Sequence, residues 1–282
     1  MLPTIKIGDN EITRLIIGGD PFKGNSHHSA ELNEEMKDFF TTEKIKEILF
    51  NAQEYGINTM QLHGDSFMMR IAREFQNEGG KLNWIAETAS EYKSHVGNVN
   101  RIVENGANAI YHHCSMTDSL YKEKKFEELK YRLKIMRDTD KPVGLGTHIP
   151  QVIEHAEENE WDIDFYVASL YNISKMERVS ISIMGEANEG EPFHDEDREY
   201  MYNAIQNTKK PCLIFKVLGD GRKCGSKKCI RNNFEEAFKN IKSSDAVIVG
   251  VFPKEKNQLK ENVKIVKSII QNQSNNKNSS NQ

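Results

Sequence analysis

Short apolar runs alternate along the chain with stretches whose apolar residues recur every three to four positions. That is the pattern of strands followed by amphipathic helices. It predicts eight strands, at residues 14–18, 59–63, 83–87, 109–113, 143–148, 164–171, 211–217 and 246–251. Helices are expected between them, among them 42–54, capped at Thr41, and 234–240. Before the first barrel strand, Ile5-Lys6-Ile7-Gly8 turns through Asp9-Asn10 into Glu11-Ile12-Thr13, a hairpin expected to close the amino-terminal end. Eight strand–helix units in 282 residues fit a closed parallel barrel. The Gly18-Gly19-Asp20-Pro21 segment lacks the G-x-G-x-x-G spacing that an open dinucleotide-binding sheet needs after its first strand. The expected architecture is therefore α/β, one (β/α)8 TIM barrel over residues 1–271 with an N-terminal β-hairpin. The Asn-, Gln-, Ser- and Lys-rich segment 272–282 is expected to be a disordered polar tail. Residues 21–40 are long for a strand-to-helix loop and hold a short polar helical stretch at 31–40, a lid or a decoration.

Strand alternation also predicts which side chains face the barrel interior. In the second strand Met60 and Leu62 suit the helix side, leaving Thr59, Gln61 and His63 inside. Trp84 and Ala86 outside put Ile85 and Glu87 inside; Ile110 outside puts Tyr111 and His113 inside, with His112 pointing outward or packed under a helix. Val143 and Leu145 outside put Gly144, Gly146 and His148 inside. In the seventh strand, Leu213, Phe215 and Val217 outside would put Lys216 inside. Five strands then end in inward polar residues: His63, Glu87, His113, His148 and Lys216. Buried charges must be paired or neutralised, so a core alone does not explain this set. The carboxyl-terminal mouth is where active sites of this fold lie. Each residue singly has a plainer reading, a hydrogen-bonded structural histidine or a Lys216–Glu87 pair. His27 and His28 fall on the long first loop, where solvation is the simpler expectation.

Composition narrows the partners. The chain is 37% hydrophobic with a formal net charge of −4, which argues against a nucleic-acid or anionic-membrane partner and leaves a small-molecule substrate. No apolar run reaches the length of a membrane helix, and strand-like sequence begins close to Met1, so a cytoplasmic protein without a signal peptide is expected. Cys114, Cys212, Cys224 and Cys229 read as free thiols, Cys224 and Cys229 offering only two ligands of a metal site. Oligomeric state is not legible.

Several segments resemble the aldo/keto reductase superfamily. They are the hairpin followed by Ile12-Thr13-Arg14-Leu15-Ile16-Ile17-Gly18-Gly19, Ala52-Gln53-Glu54-Tyr55-Gly56-Ile57-Asn58-Thr59, Tyr171-Asn172, Leu218-Gly219-Asp220-Gly221, and Val247-Ile248-Val249-Gly250 with Asn257-Gln258-Leu259-Lys260-Glu261-Asn262. The resemblance implies the barrel, NADP as cofactor, and reduction of a carbonyl by an Asp, Tyr, Lys and His tetrad at the mouth. Position by position, the Asp site falls on Gln61, the Tyr site on Ser66 and the Lys site on Thr88; His113 alone matches. By the same resemblance, Tyr171, Asn172, Arg222, Lys254, Lys256 and Asn262 would hold the dinucleotide, aided by the amino end of the last helix.

Three functions remain open on these residues. One is a reductase-like enzyme acting on a small polar or carbonyl molecule with an altered acid–base set, His113 orienting the substrate and His63 or Glu87 moving the proton. Another is a divalent-metal hydrolase or isomerase, with His63, His113 and His148 and a carboxylate as ligands and Lys216 stabilising an anion. The third is a ligand-binding barrel without catalysis. Lys216 as a Schiff-base lysine is a minor variant.

Overall fold

A computed structural model of the chain describes residues 2–175 and 191–279. Strands β1 (Thr4–Ile7) and β2 (Asn10–Thr13) pair antiparallel, Thr4 opposite Thr13 and Ile7 opposite Asn10. The other strands are β3 (Leu15–Gly18), β4 (Thr59–His63), β5 (Asn83–Glu87), β6 (Ala109–His112), β7 (Val143–Thr147), β8 (Phe165–Ser169), β9 (Cys212–Phe215) and β10 (Ala246–Val249). They close in chain order into one barrel of parallel neighbours, β10 returning to β3. The predicted architecture is the observed one.

Helices α1 (Ala30–Phe39) and α2 (Thr42–Glu54) follow β3, and α3 (Ser66–Asn77), α4 (His95–Glu104) and the pair α5 (Cys114–Lys122) and α6 (Phe126–Arg137) follow β4 to β6. Helices α7 (Pro150–Glu158), α8 (Glu196–Asn207), α9 (Lys227–Asn240) and α10 (Gln258–Ser279) complete the outer layer. Several helices open on a side chain that accepts a first-turn amide: Ser29 for α1, Thr41 for α2, Asp65 for α3 and Ser226 for α9. Helix α10 runs to Ser279, into the polar segment expected to be disordered. That segment holds neither proline nor glycine, so nothing local stops the helix.

Two apolar layers result. The larger lies between sheet and helices and contains Met60, Leu62, Trp84, Ile110, Val143 and Leu145, the outward set that alternation predicted. The smaller fills the barrel and contains Ile16, Ile85, Tyr111, Phe165, Val167 and Leu213. Ile5, Ile7 and Ile12 of the hairpin belong to this inner cluster and stopper its amino end. Thr13 and Asn10 fasten the hairpin there, bonding Asn58 and Asn108 beneath β4 and β6.

The seventh barrel strand corrects the alternation. Leu213 packs in the interior, with Phe215 against the same cluster, and Cys212 and Ile214 face the helices, the reverse of the expectation. All four strand residues are apolar, so a period of two carries no sign there. Several strands also end earlier than predicted. β6 stops at His112, β7 at Thr147 and β9 at Phe215, and the polar residues that follow belong to the mouth.

Candidate active site

A cavity of about 970 Å³ opens at the carboxyl ends of the strands, and His63, Glu87, His113, His148 and Lys216 all line it. Four arrive where alternation placed them. Lys216 arrives by another route. It follows β9 with a left-handed backbone, φ 61°, which turns a residue of outward parity into the mouth. Its ammonium pairs with Asp220 and lies 5.5 and 5.8 Å from the ring centroids of Phe193 and Phe215.

Glu87 is a carboxyl pushed strongly upward. It is buried at 8% exposure, and that desolvation pushes its pKa up to about 7, against the pull of His63. Its Oε1 accepts the Cys114 amide at 3.3 Å, the first residue of α5, and lies 3.9 Å from Nε2 of His113.

His113 caps α5. Its Nδ1 accepts the Met116 amide at 3.4 Å, and its own amide donates to Thr88 Oγ1 at 3.0 Å. Burial, then the neighbouring histidines, push its pKa well below the ordinary value, so the ring is neutral. A neutral ring that accepts at Nδ1 carries its proton on Nε2, the atom turned toward Glu87.

His63 meets His113 edge to face, ring centroids 5.7 Å apart. Its Nδ1 lies 3.0 Å from Asp65 Oδ2 and 3.0 Å from Lys23 Nζ, and those two pair at 2.6 Å. Burial alone would raise Asp65, but His63 and Lys23 hold it well below the usual carboxylate range. A charged Asp65 favours a proton on Nδ1 of His63. Nε2 of His63 is buried and has no partner among the described residues.

His148 has a second carboxylate. Asp118, at 2% exposure in α5, holds His148 Nδ1 at 2.7 Å and accepts Thr147 Oγ1 at 2.6 Å and Ser174 Oγ at 2.5 Å. A carboxylate oxygen accepts from each of these groups, so Nδ1 of His148 is the donating nitrogen. Neither Asp65 nor Lys23 nor Asp118 was expected from sequence. Asp65 has a local signal, an acidic residue just before a helix, whereas Asp118 sits inside a helix and Lys23 ends a short 3-10 helix, Asp20–Lys23.

The remaining expectations divide. Gln61 lines the cavity and donates to the Tyr111 hydroxyl at 2.8 Å, and burial pushes that phenol well above its ordinary pKa. Ser66 is outside the lining and bonds Tyr92 at 2.6 Å. Lys254, Lys256 and Asn262 line the far part of the cavity. Tyr171, Asn172 and Arg222 do not: the Tyr171 hydroxyl bonds Arg198 and Asp195, the Asn172 amide donates to Asp197, and Arg222 lies 3.8 Å over the Phe193 ring. His27 and His28 both line the cavity rather than standing free of it, His27 bonding Glu191 at 2.8 Å. His112 is buried beneath the helices on Thr117, as expected. Cys224 is exposed and Cys229 half-buried, both as free thiols.

Among the described residues, His63, Glu87 and His113 bring three ligand atoms within 4.8 Å of one another, close enough to share a divalent cation; His148 is not in that group. The expected three-histidine set is therefore not the one assembled. A cation on Nε2 of His113 would also need the ring proton moved to Nδ1, against the Met116 amide. Nδ1 of His63 is already held by Asp65, and His63, Asp65 and Glu91 form a second group of the same reach.

No protein-family model and no curated protein matches the chain. Solved structures match its fold. An aldo-keto reductase from Bacillus halodurans superposes with a TM-score of 0.57 at 12% identity, covering 94% of this chain and 91% of that one. A truncated 3-deoxy-D-arabino-heptulosonate 7-phosphate synthase from Thermotoga maritima gives 0.54 at 13%, covering 99% and 93%. An N-acetylmannosamine-6-phosphate 2-epimerase from Clostridium perfringens gives 0.52 at 11%, covering 84% and 85%. Enzymes of different chemistry share this barrel, so the likeness supports the superfold and not one family within it. No helix among the described residues is long and apolar enough to cross a membrane.

Proposed function

We propose that the chain is an enzyme that moves a proton at the carbon beside the carbonyl of a small polar molecule. One observation carries the reading: a carboxyl poised near neutrality, Glu87, stands 3.9 Å from Nε2 of a neutral His113 at the mouth of the barrel. A protonated Glu87 and Nε2–H of His113 form two donors for a carbonyl oxygen as it gains charge. Nε2 of His63, buried and unpartnered, supplies the base, with Asp65 holding the other ring nitrogen. Taking the proton sends the C–H electrons toward the carbonyl and leaves an enol or enolate held by the two donors. The matched His113 is thereby kept in a carbonyl-orienting role while the missing tetrad members are not needed.

The test is proton exchange. Small 2-hydroxy and 2-amino aldehydes, ketones and acids incubated with the protein in D2O should lose the α-proton signal in NMR spectra. Glu87→Ala should slow that exchange about 100-fold. Absence of exchange across the panel would remove the reading.

A second reading, an NADP-dependent reductase of the aldo/keto reductase kind, draws on the cavity's extension from His113 to Lys254, Lys256 and Asn262. The amino end of α9, at Ser226 and Lys227, also lines it. Two of those cations already have carboxylate partners, however: Lys254 pairs with Glu35 and Lys227 with Glu261. Trp84 and Trp161 are buried outside the lining, so calorimetric titration with NADPH is the suitable assay. Micromolar binding abolished by Lys256→Glu would favour the reductase.

A further inference from the structure

Two histidine–carboxylate pairs face one cavity from different sides of the barrel. Asp65–His63 stands at the end of β4 and Asp118–His148 just beyond β7, three strand steps apart in a ring of eight. Glu87 and His113, on and just beyond β5 and β6, lie between them. In each pair the carboxylate engages Nδ1, so Nε2 is the ring nitrogen turned away from it, and both rings line the cavity. A carbonyl held by Glu87 and His113 would therefore have one imidazole toward each face of its neighbouring carbon.

We infer that the site inverts a stereocentre, with His63 and His148 as bases on opposite faces of the α-carbon. The substrate class is a polar carbonyl compound with a hydrogen-bearing stereocentre next to the carbonyl. This rests on the proton-transfer reading above and adds what that reading lacks, a second proton donor and a stereochemical outcome. Nε2 of His63 takes the α-proton, and the C–H pair moves into the C–C bond as charge develops on oxygen. His148, which enters in this direction as the imidazolium with a proton on each nitrogen, then delivers its Nε2 proton to the opposite face, and the pair returns to form the new C–H bond. His63 ends protonated and His148 neutral, so the reverse reaction uses the same residues with roles exchanged. No oxidant, reductant or further reactant enters.

Asp65 and Asp118 act as positioning residues. Their part is to fix Nδ1–H on each ring, whereas His113, held by an amide at Nδ1, keeps its proton on Nε2. That difference is measurable without any substrate. Long-range proton–nitrogen NMR correlations of the wild-type ring nitrogens should show Nδ1–H for neutral His63 and His148 and Nε2–H for His113. Asp118→Asn should disturb the tautomer of His148 alone. Finding Nε2–H on neutral His63, accepting from Lys23 instead, or on neutral His148 would overturn the assignment.

The catalytic arm uses the enantiopure 2-hydroxy and 2-amino carbonyl panel in D2O with wild type, His63→Asn and His148→Asn. Wild type should give inverted product carrying deuterium while unreacted substrate still holds protium. Each variant should lose inversion about 1000-fold yet still exchange the α-proton of one stereoisomer, the opposite isomer for the other variant. Exchange with retention only, or both variants losing the same isomer, would overturn the two-base assignment and leave proton transfer standing. No exchange of any probe by the wild type would overturn both.

Discussion

Oε1 of Glu87 lies 3.9 Å from Nε2 of His113, too far for a direct bond and close enough for one carbonyl oxygen to lie within reach of both groups. The arrangement works only while Glu87 holds its proton. Activity in the α-exchange assay should therefore fall as pH rises through about 7, where burial has placed that carboxyl. Glu87→Gln, which keeps a donor at every pH, should lose this descending limb while retaining part of the rate. An unchanged limb in that variant would assign it to another group.

Stability should carry the same signature. The folded protein keeps the Glu87 proton up to about pH 7, whereas the unfolded chain releases it near the ordinary 4.5. Between those values the folded state binds more protons, so stability falls as pH rises through the window. The full penalty is at most about 3 kcal/mol. Chemical denaturation at pH 5 and pH 8 should show a larger loss for wild type than for Glu87→Gln.

Asp118 binds Thr147, Ser174 and both the ring and the amide of His148. Replacing it by alanine strands several buried donors together, a loss of about 3–5 kcal/mol. The isosteric asparagine should fold better, because it keeps an acceptor oxygen. Urea titration of the two variants measures the difference.

Gly146 is closely packed beneath the mouth. A Cβ there would come within 2.7 Å of both Cys114 Sγ and the His112 carbonyl oxygen. Backbone cannot yield as a side chain does, so Gly146→Ala should cost about 1–3 kcal/mol and displace His148 two residues on. Pairing it with Cys114→Ala should recover only part, since the His112 carbonyl remains. Thermal melts of the single and double variants check this.

The barrel was legible because strand–helix alternation and opposite-face patterning survive in most units: Met60 with Leu62, and Val143 with Leu145, give the parity of β4 and β7 outright. It failed in β9, where Cys212, Leu213, Ile214 and Phe215 are apolar on both faces. Lys216 was placed in the cavity on a mistaken parity; the true cause is its backbone turn, which no periodicity reports. The five cavity residues could be named from strand ends, but their tuning could not. Asp118 reaches His148 across 30 positions of chain, and Asp65 is chemically ordinary until the fold sets it against His63 and Lys23. The reductase resemblance named Tyr171, Asn172 and Arg222 as dinucleotide contacts, and the fold engages all three elsewhere.

The hairpin residues Ile5, Ile7 and Ile12 make the barrel a cup with one rim. On the proposed chemistry, with the amino end closed by these residues, a molecule reacting at Glu87 would leave by the mouth through which it entered. Reactant and product then share a single passage. Departure of one is the condition for arrival of the next, and traffic at the rim can limit turnover whatever the speed of the chemistry below.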